Sequence, residues 1–244
     1  MVWLGRVSSR PFLRSRRKLP PRSTAPAHGH PVVSLTFDDG LASQGLAADL
    51  LEERGLRGTF YVPSGMLGKP GRLRWEDIVR LAERGHEIGG HTQTHASLSE
   101  ITLEQARQEI IRDRDAITAH GLEPVSFAYP KGKSTDEVEE LVRSAGYVAG
   151  RGIGGIVETL PPLNAYRLRT PHSARTWTTA EHMAGLVLAA EHEEGWLIIP
   201  FHHLGRDPNS SYTTPTSEFA AFLDWLVDRN ARVSPVCNVI SLYE

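Results

Sequence analysis

Segments typical of β-strands and of α-helices alternate about seven times between Pro31 and Leu242. The strand-like segments are short apolar or β-branched runs, and the helix-like segments carry apolar residues three and four positions apart. Regular alternation of this kind is typical of a parallel sheet whose strands are joined by helices. The sequence therefore predicts an α/β fold in which a parallel sheet closes into a barrel.

The predicted elements cover most of the chain after residue 30. The strands are predicted at residues 31–37, 57–62, 86–90, 126–130, 147–149, 165–170, 196–201 and 236–242. The helices are predicted at residues 43–54, 75–84, 102–120, 135–145, 179–190 and 216–229. Residues 150–155 read as a glycine-rich loop, and Cys237, within the last predicted strand, reads as an inert core thiol. Residues 30–244 are expected to form one barrel domain, since chains of this length are common for that architecture.

The first predicted strand runs directly into two carboxylates, Asp38 and Asp39, and then into Gly40. A buried strand cannot hold two charges in its body, so both should lie just past its C-terminal end. Consecutive strand residues point to opposite faces, and both carboxylates can serve one cleft only if the backbone turns, which Gly40 allows. An ordinary surface turn is the alternative reading of this stretch.

Other polar residues follow the remaining predicted strands at the same kind of position. In parallel barrels the residues at these strand ends form the active site. The candidates chosen on this ground are Asp38, Asp39, His91, His95, Tyr129, Arg169, His202 and His203.

His91 and His95 are four residues apart, a spacing that lets two imidazoles reach one metal ion from a single loop. One carboxylate from the first strand end would complete a set of two histidines and one aspartate, which leaves a coordination position open for water. Zinc is the first expectation, although the same ligands also suit non-haem Fe(II). Two unrelated surface histidines remain the alternative.

The second aspartate would then be free to act as a general base, and a histidine across the cleft would be the acid. His202 follows an apolar strand and is placed for that task, with His203 ranked second.

Three motifs resemble those of the polysaccharide deacetylases, the NodB-homology carbohydrate esterases of family 4 type. They are Thr36-Phe37-Asp38-Asp39-Gly40, His91-Thr92-Gln93-Thr94-His95 and Phe127-Ala128-Tyr129-Pro130-Lys131-Gly132, and Ile198-Ile199-Pro200-Phe201-His202 is similar to the last motif of the family.

The resemblance implies a distorted (β/α) barrel of about seven parallel strands and a metal-dependent hydrolase. Its substrate would be an N-acetylated, N-acetylglucosamine-containing polymer or oligosaccharide. The implied catalytic residues are Asp38 as base and His202 as acid, and Asp39, His91 and His95 are the implied ligands of one divalent ion, with zinc expected. Tyr129 and Lys131 are the implied substrate-binding residues, and a backbone N–H near Lys131 would help to hold the oxyanion.

The third motif departs from the family pattern at two positions. Its usual arginine, which steadies the base, is replaced by Ala128, and its later tyrosine is replaced by Lys131. In a similar branch of the family an arginine on a later strand takes over, and Arg169 fits that place in the sequence. Arg167 lies on the same predicted face and stays open as an alternative.

Two rival functions remain open at this stage. One keeps the fold but hydrolyses a C–N bond of a small cyclic amide, and the other is a non-catalytic sugar-binding domain with a vestigial metal site. Retention of both histidine ligands argues against the first, and retention of Asp38 and His202 argues against the second.

The charge of the chain is unevenly distributed. Residues 1–30 contain seven basic and no acidic residues, and the remaining 20 basic and 29 acidic residues give a net charge of about −9. An acidic body does not favour nucleic-acid binding. Residues 1–29 are predicted to be a disordered basic arm, or the product of a start codon placed too early.

No apolar run is long enough for a transmembrane segment, and the basic head lacks the apolar core of a secretory signal. As written, the sequence predicts a cytoplasmic protein, and an extracytoplasmic one if the start is misassigned.

Overall fold

A computed structural model describes residues 31–207 and 210–243. The predicted basic arm at residues 1–29 lies outside the described residues. The strands, in chain order, are β1 (Val32–Asp38), β2 (Thr59–Val62), β3 (Glu87–Gly90), β4 (Ser126–Ala128), β5 (Ala149–Arg151), β6 (Trp196–Phe201), β7 (His203–Leu204), β8 (Thr213–Thr214) and β9 (Arg232–Val233). The helices are α1 (Gln44–Glu52), α2 (Trp75–Glu83), α3 (Leu103–Thr118), α4 (Asp136–Ser144), α5 (Ala180–His192), α6 (Thr216–Asp228) and α7 (Val236–Ile240).

Seven parallel strands form one curled sheet in the order β5-β4-β3-β2-β1-β6, with β9 paired to the start of β1. Strand β1 lies against β6 along almost its whole length, from Val32 opposite Trp196 to Phe37 opposite Phe201. This architecture confirms the predicted α/β fold, a distorted (β/α) barrel of about seven parallel strands. Because every strand of this sheet runs in the same direction, their C-terminal ends meet at one edge of the barrel.

The core between the sheet and the helices explains why β1, β2 and β6 are rich in apolar residues. β1, β2 and β6 are buried along their entire lengths, as expected for strands covered on both faces. Phe37 stacks on Phe60 with ring centroids 4.8 Å apart and on Phe201 at 5.4 Å, while Phe219 of α6 meets Phe37 edge-on. Offset and edge-on aromatic pairs of this kind stabilise the fold beyond their buried area.

The boundaries of the six predicted helices agree with the structure within one or two residues. Two of the predicted strands are wrong. The predicted strand at residues 236–242 is instead helix α7 (Val236–Ile240) followed by a turn, because Pro235 precedes a short helical segment whose Cys237 N–H donates to the buried Glu87 carboxylate at 2.9 Å. Burial raises the pKa of the Cys237 thiol to about 12, so the thiol stays protonated.

The second wrong strand lies at residues 165–170, where the chain forms a 3₁₀ turn at Ala165–Arg167. Only Leu168 bridges to the neighbouring strand, opposite Arg151. The strand β5 begins two residues later than predicted and takes in the first part of the predicted glycine-rich loop. None of the helices in the described part of the chain is long and apolar enough to span a membrane.

Candidate active site

The end of β1 brings Asp38 and Asp39 into one cleft. Asp38 is the last strand residue, and the next two residues, Asp39 and Gly40, adopt positive φ angles of 79° and 60°. This left-handed turn reverses the strand alternation, as the predicted role of Gly40 required. Thr92, His95 and Lys131 also have positive φ, and strained backbone of this kind clusters at functional sites.

Asp39, His91 and His95 meet at the mouth of the barrel. Asp39 Oδ1 lies 3.4 Å from His91 Nε2 and 3.1 Å from His95 Nε2. One donor atom from each of the three residues lies within 4.8 Å of the others, which makes them a candidate metal-binding group among the described residues. The structure therefore brings together the three residues predicted as ligands.

The donor atoms of this group suit a divalent cation. His91 Nδ1 donates to the Ala128 carbonyl at 2.7 Å, which leaves Nε2 as the ring nitrogen that faces Asp39 and could bind a metal ion. Asp39 Oδ1 is buried without a hydrogen-bond partner. Burial opposes the ionised form of Asp39, but the nearby imidazoles of His91, His95 and His202 outweigh it, and its pKa is held well below the ordinary value. An ionised carboxylate and two imidazole nitrogens facing one point fit a zinc-type site.

Asp113, on α3, fixes the loop that carries the first histidine. Its carboxylate is fully buried and accepts the backbone N–H of His91 at one oxygen and that of Ser64 at the other, both at 2.8 Å. Burial raises the pKa of Asp113 to about 7, against the opposing effect of those N–H donors. The carboxylate thus holds two site loops to one helix.

Asp38 pairs with Arg151 rather than with Arg169. Arg151 Nη2 donates to both carboxylate oxygens of Asp38, at 2.7 and 2.6 Å, and both side chains are buried. The guanidinium also lies over the Tyr61 ring, 5.2 Å from its centroid. A guanidinium fixed beside a buried carboxylate holds that carboxylate in one orientation.

The predicted position of Arg169 next to the base is wrong. Its guanidinium donates to Glu158 at 3.1 Å, because residues 165–170 do not form the strand that would have aimed it into the cleft. The alternative, Arg167, pairs with Asp136 and Glu139 on α4 and also lies away from Asp38.

His202 follows β6 on the opposite side of the cleft. Its Nε2 lies 3.9 Å from Asp38 Oδ2. Burial lowers the pKa of His202, and the carboxylates of Asp38 and Asp39 oppose that shift. Gln44 donates from Nε2 to the backbone carbonyls of Asp38 and His202, the latter at 3.3 Å, and so ties the two strand ends together. His203 faces Asp207 instead, with 3.8 Å between Nε2 and Oδ2.

The two predicted substrate-binding residues differ in placement. The Tyr129 side chain is buried, and its hydroxyl donates to the Tyr166 carbonyl at 2.9 Å, so the phenol is a packing element. Lys131 lies at the cleft, where its ammonium pairs with Glu100 at 2.9 Å. The hydrogen bonds among the described residues include none donated by the Lys131 N–H, whereas the next N–H, of Gly132, donates to Tyr129.

The cleft that these side chains enclose has a volume of about 280 Å³. Its walls are formed by Asp38, Asp39, His91, His95, Tyr129, Lys131, Gly132, Arg151, Ile153, His172, Ser173, Arg175, His202 and Tyr212. Of the predicted site residues, only Arg169 and the second-ranked His203 do not contribute to this wall.

Sequence reasoning missed Arg151 and Asp113. Arg151 was hidden in a stretch read as a glycine-rich loop. A signal for Asp113 was available: it lies on the apolar stripe of α3 together with Ala106, Ile110 and Ile117, where an unpaired charge would be costly. An acidic side chain on such a stripe indicates a carboxylate that accepts hydrogen bonds inside the core.

Comparison with known proteins matches residues 25–150 to the family model described as polysaccharide deacetylase. The peptidoglycan-N-acetylmuramic acid deacetylase PdaC of Bacillus subtilis is 29% identical over 115 residues, which are 46% of this chain and 24% of that protein. A peptidoglycan-N-acetylglucosamine deacetylase of Bacillus cereus is 31% identical over 87 residues, 35% of this chain and 30% of that protein. The chain thus spans less than a third of the length of these two relatives.

The fold matches that of a family 4 acetyl xylan esterase from Clostridium thermocellum, solved in complex with a cobalt ion. The TM-score is 0.59 at 20% identity, over 86% of this chain and 91% of the other. The family model covers more than half of the chain, and it includes both the first strand-end motif and the histidine motif. This protein therefore belongs to the polysaccharide deacetylase family.

Proposed function

We propose that the protein is a metal-dependent hydrolase that removes N-acetyl groups from an N-acetylated sugar polymer or oligosaccharide. The observation that carries this proposal is the meeting of three metal-type donors, Asp39, His91 and His95, with a separate carboxylate and a separate imidazole in one cleft. A hydrolase of this kind needs a metal ion, a general base and a general acid within reach of one amide bond.

Asp39, His91 and His95 would hold one divalent ion, with zinc as the first choice. Such an ion supplies Lewis-acid chemistry, polarising an acyl oxygen and making water more acidic. The cobalt complex of the Clostridium thermocellum esterase supports a divalent ion in this fold. The same donor set also accepts Fe(II), so the native ion is a matter for metal analysis.

Asp38 is the proposed general base. Its carboxylate is not needed for the metal, it faces the cleft, and Arg151 holds it in one orientation. It would take a proton from the attacking water as the new C–O bond forms at the acetamido carbonyl carbon.

His202 is the proposed general acid. It lies across from Asp38; burial lowers the pKa of His202, and the carboxylates of Asp38 and Asp39 offset only part of that shift. It would donate its proton to the amide nitrogen as the C–N bond breaks, leaving acetate and a free amine. As the family resemblance implies, the backbone N–H near Lys131, a residue that lines the cleft, would donate to the carbonyl oxygen.

The substrate class rests on the relatives. Two of them are named for deacetylation of N-acetylglucosamine or N-acetylmuramic acid in peptidoglycan, which supports an N-acetylated carbohydrate here. A cyclic-amide hydrolase would not need the intact histidine pair, and a pure sugar-binding domain would need neither Asp38 nor a buried arginine beside it.

Acetate release tests the proposal directly. The full chain, loaded with Zn²⁺, is incubated with a chitooligosaccharide and with peptidoglycan, and released acetate is measured alongside an Asp38→Asn control. We expect release by the wild type that stops on chelation and returns with Zn²⁺ or Co²⁺. Metal-loaded protein that releases no acetate from either substrate would refute the assignment.

A further inference from the structure

A second, larger pocket of about 460 Å³ adjoins the catalytic cleft. It lies between segment 171–178 and the first turns of α5, and the loop at residues 155–156 covers one side. His172 and Ser173 line both spaces, so they form a shared wall. The cleft and the second pocket are therefore adjacent.

The lining of this pocket is dominated by apolar side chains. The main ones are Ile156, Trp177, Met183, Leu186 and Ile199. Trp177 is 66% exposed and Ile156 is 52% exposed, so two large apolar groups stand at the mouth in contact with water. Exposed apolar groups around a concave site mark a place where apolar ligand surface is bound.

The polar groups of the pocket are few and offer little to a sugar. His172 and Ser173 stand at the shared wall, and Thr178 Oγ1 already accepts the Arg175 N–H at 2.9 Å. His182 meets the Trp177 ring edge-on at 6.0 Å. A pyranose placed here would leave several hydroxyls without partners, which costs binding free energy. An aliphatic chain has no such requirement.

We propose that this pocket binds an aliphatic chain attached to the sugar whose acetamido group lies in the cleft. The preferred substrate is then an amphiphilic N-acetylated glycoside rather than a bare polymer. This inference rests on the proposed function for the position of the sugar, and it adds a recognition site outside the catalytic residues.

The test uses the methyl, butyl and octyl β-glycosides of N-acetylglucosamine below their micelle-forming concentrations, with N,N′-diacetylchitobiose as the sugar-only probe. Binding to the Zn²⁺-loaded full chain is measured by calorimetry, and deacetylation is followed as kcat/KM. Each methylene removed from water strengthens binding by up to roughly fourfold, so two buried methylenes suffice for a gain of about tenfold. We expect affinity to rise from methyl to octyl by at least that factor.

Two pocket variants and one control locate the effect. The variants Trp177→Ala and Ile156→Glu should each remove most of the increase in affinity from the methyl to the octyl glycoside. Turnover of the methyl glycoside, which has no chain to place in the pocket, should stay unchanged. Leu163→Ala is the matched control, since Leu163 is 83% exposed and lines neither space. The control should retain the full chain-length dependence.

The outcomes separate this inference from the proposed function. Chain-length-dependent binding that requires Trp177, in a protein that also releases no acetate from the chitooligosaccharide or from peptidoglycan, supports the pocket and refutes the deacetylase. Equal affinity and equal kcat/KM for methyl and octyl glycosides refute the pocket and leave the deacetylase standing. If Trp177 increases the affinity for the chitobiose but not for the octyl glycoside, the inference is overturned in favour of a second sugar subsite. If none of the probes binds, the inference is also overturned.

Discussion

Arg151 stands directly opposite Ala128 in the register of two parallel strands, β4 and β5. Position 128 is where the motif of the family usually has the arginine that steadies the base. Here the guanidinium comes from the paired position one strand further along and reaches Asp38 with two hydrogen bonds, at 2.7 and 2.6 Å. The same contact is thus supplied from a neighbouring strand.

Replacing Arg151 by lysine should lower turnover roughly tenfold to a hundredfold while metal content stays the same. A hydrogen bond to a charged group contributes about 1.5–3 kcal/mol. The shorter lysine side chain does not extend as far as Nη2, the nitrogen that meets both oxygens of Asp38, and its ammonium lacks the flat guanidinium that lies over the Tyr61 ring. The measurement is kcat on a chitooligosaccharide, with bound metal determined on the same sample.

Arg169→Lys is the matched control for that experiment, because Arg169 pairs with Glu158 outside the cleft. It should retain near-normal turnover. If Arg169→Lys loses activity and Arg151→Lys does not, the orienting role of Arg151 is wrong.

His91→Ala should abolish stoichiometric Zn²⁺ binding. The imidazole supplies one of three donors, and its orientation is fixed by the bond from Nδ1 to Ala128. Calorimetric titration of the apo full chain should give one ion per wild-type chain and none for the variant, while circular dichroism remains native. His192→Ala, at the exposed end of α5, should bind like the wild type. One tightly bound ion in His91→Ala would show that the site lies elsewhere.

Asp113→Asn should weaken metal binding about tenfold to a hundredfold and lower stability by about 1–3 kcal/mol. An amide can accept only one of the two backbone N–H groups, from Ser64 and His91, that the carboxylate now accepts. The other N–H is left buried without a partner, and the His91 loop loses its anchor.

Asp115→Asn provides the comparison, since Asp115 lies exposed on the same helix as Asp113. Urea unfolding and Zn²⁺ titration of both variants check the prediction. Equal stability and equal Zn²⁺ affinity in the two would mean that Asp113 does not position the histidine.

Asp38→Asn and His202→Ala should each cost on the order of 10²–10⁴ in turnover, the usual range for general acid–base groups. Neither residue is needed to hold the metal, so Zn²⁺ content should be unchanged. His203→Ala is the control, because its imidazole faces Asp207 rather than Asp38. A His202→Ala enzyme with normal turnover, paired with an impaired His203→Ala enzyme, would transfer the acid role to His203.

The sequence predicted the elements whose signals are local. Helices α3 and α5 begin at threonine caps that accept a backbone N–H, and both were found within two residues. The grouping of Asp39, His91 and His95 was predictable because parallel strands end at one edge.

Arg151 could not be found in that way, since its role depends on the register between β4 and β5. Register is a long-range property that a glycine-rich segment does not reveal. The helix α7 was mistaken for a strand because Val236-Cys237-Asn238-Val239-Ile240 is too short for helical periodicity to appear.

His86 contributes to the free energy of unfolding, and this contribution should decrease on acidification. Its side chain is fully buried, Nδ1 accepts the Gly58 N–H at 3.1 Å, and Nε2 therefore carries the proton donated to Glu52 Oε1 at 2.8 Å. Protonation of Nδ1 would break the bond to Gly58. Burial lowers the pKa of His86 below its ordinary value of 6.5, and Glu52 only partly opposes this.

Because the folded-state pKa of His86 lies below the unfolded value, the unfolded chain binds more protons as the pH falls through 6.5. The contribution of His86 is therefore present above that pH and is lost as the pH falls towards the lowered pKa.

The free energy of unfolding, measured with urea between pH 8 and pH 5, should fall less steeply for His86→Gln than for the wild type, since glutamine does not titrate. His120→Gln, which changes an exposed histidine stacked on Trp75, should keep the wild-type slope. If His86→Gln and the wild type lose the same stability over that range, the neutral state of His86 does not contribute to the pH dependence, and His202, whose pKa burial also lowers, becomes the group to test.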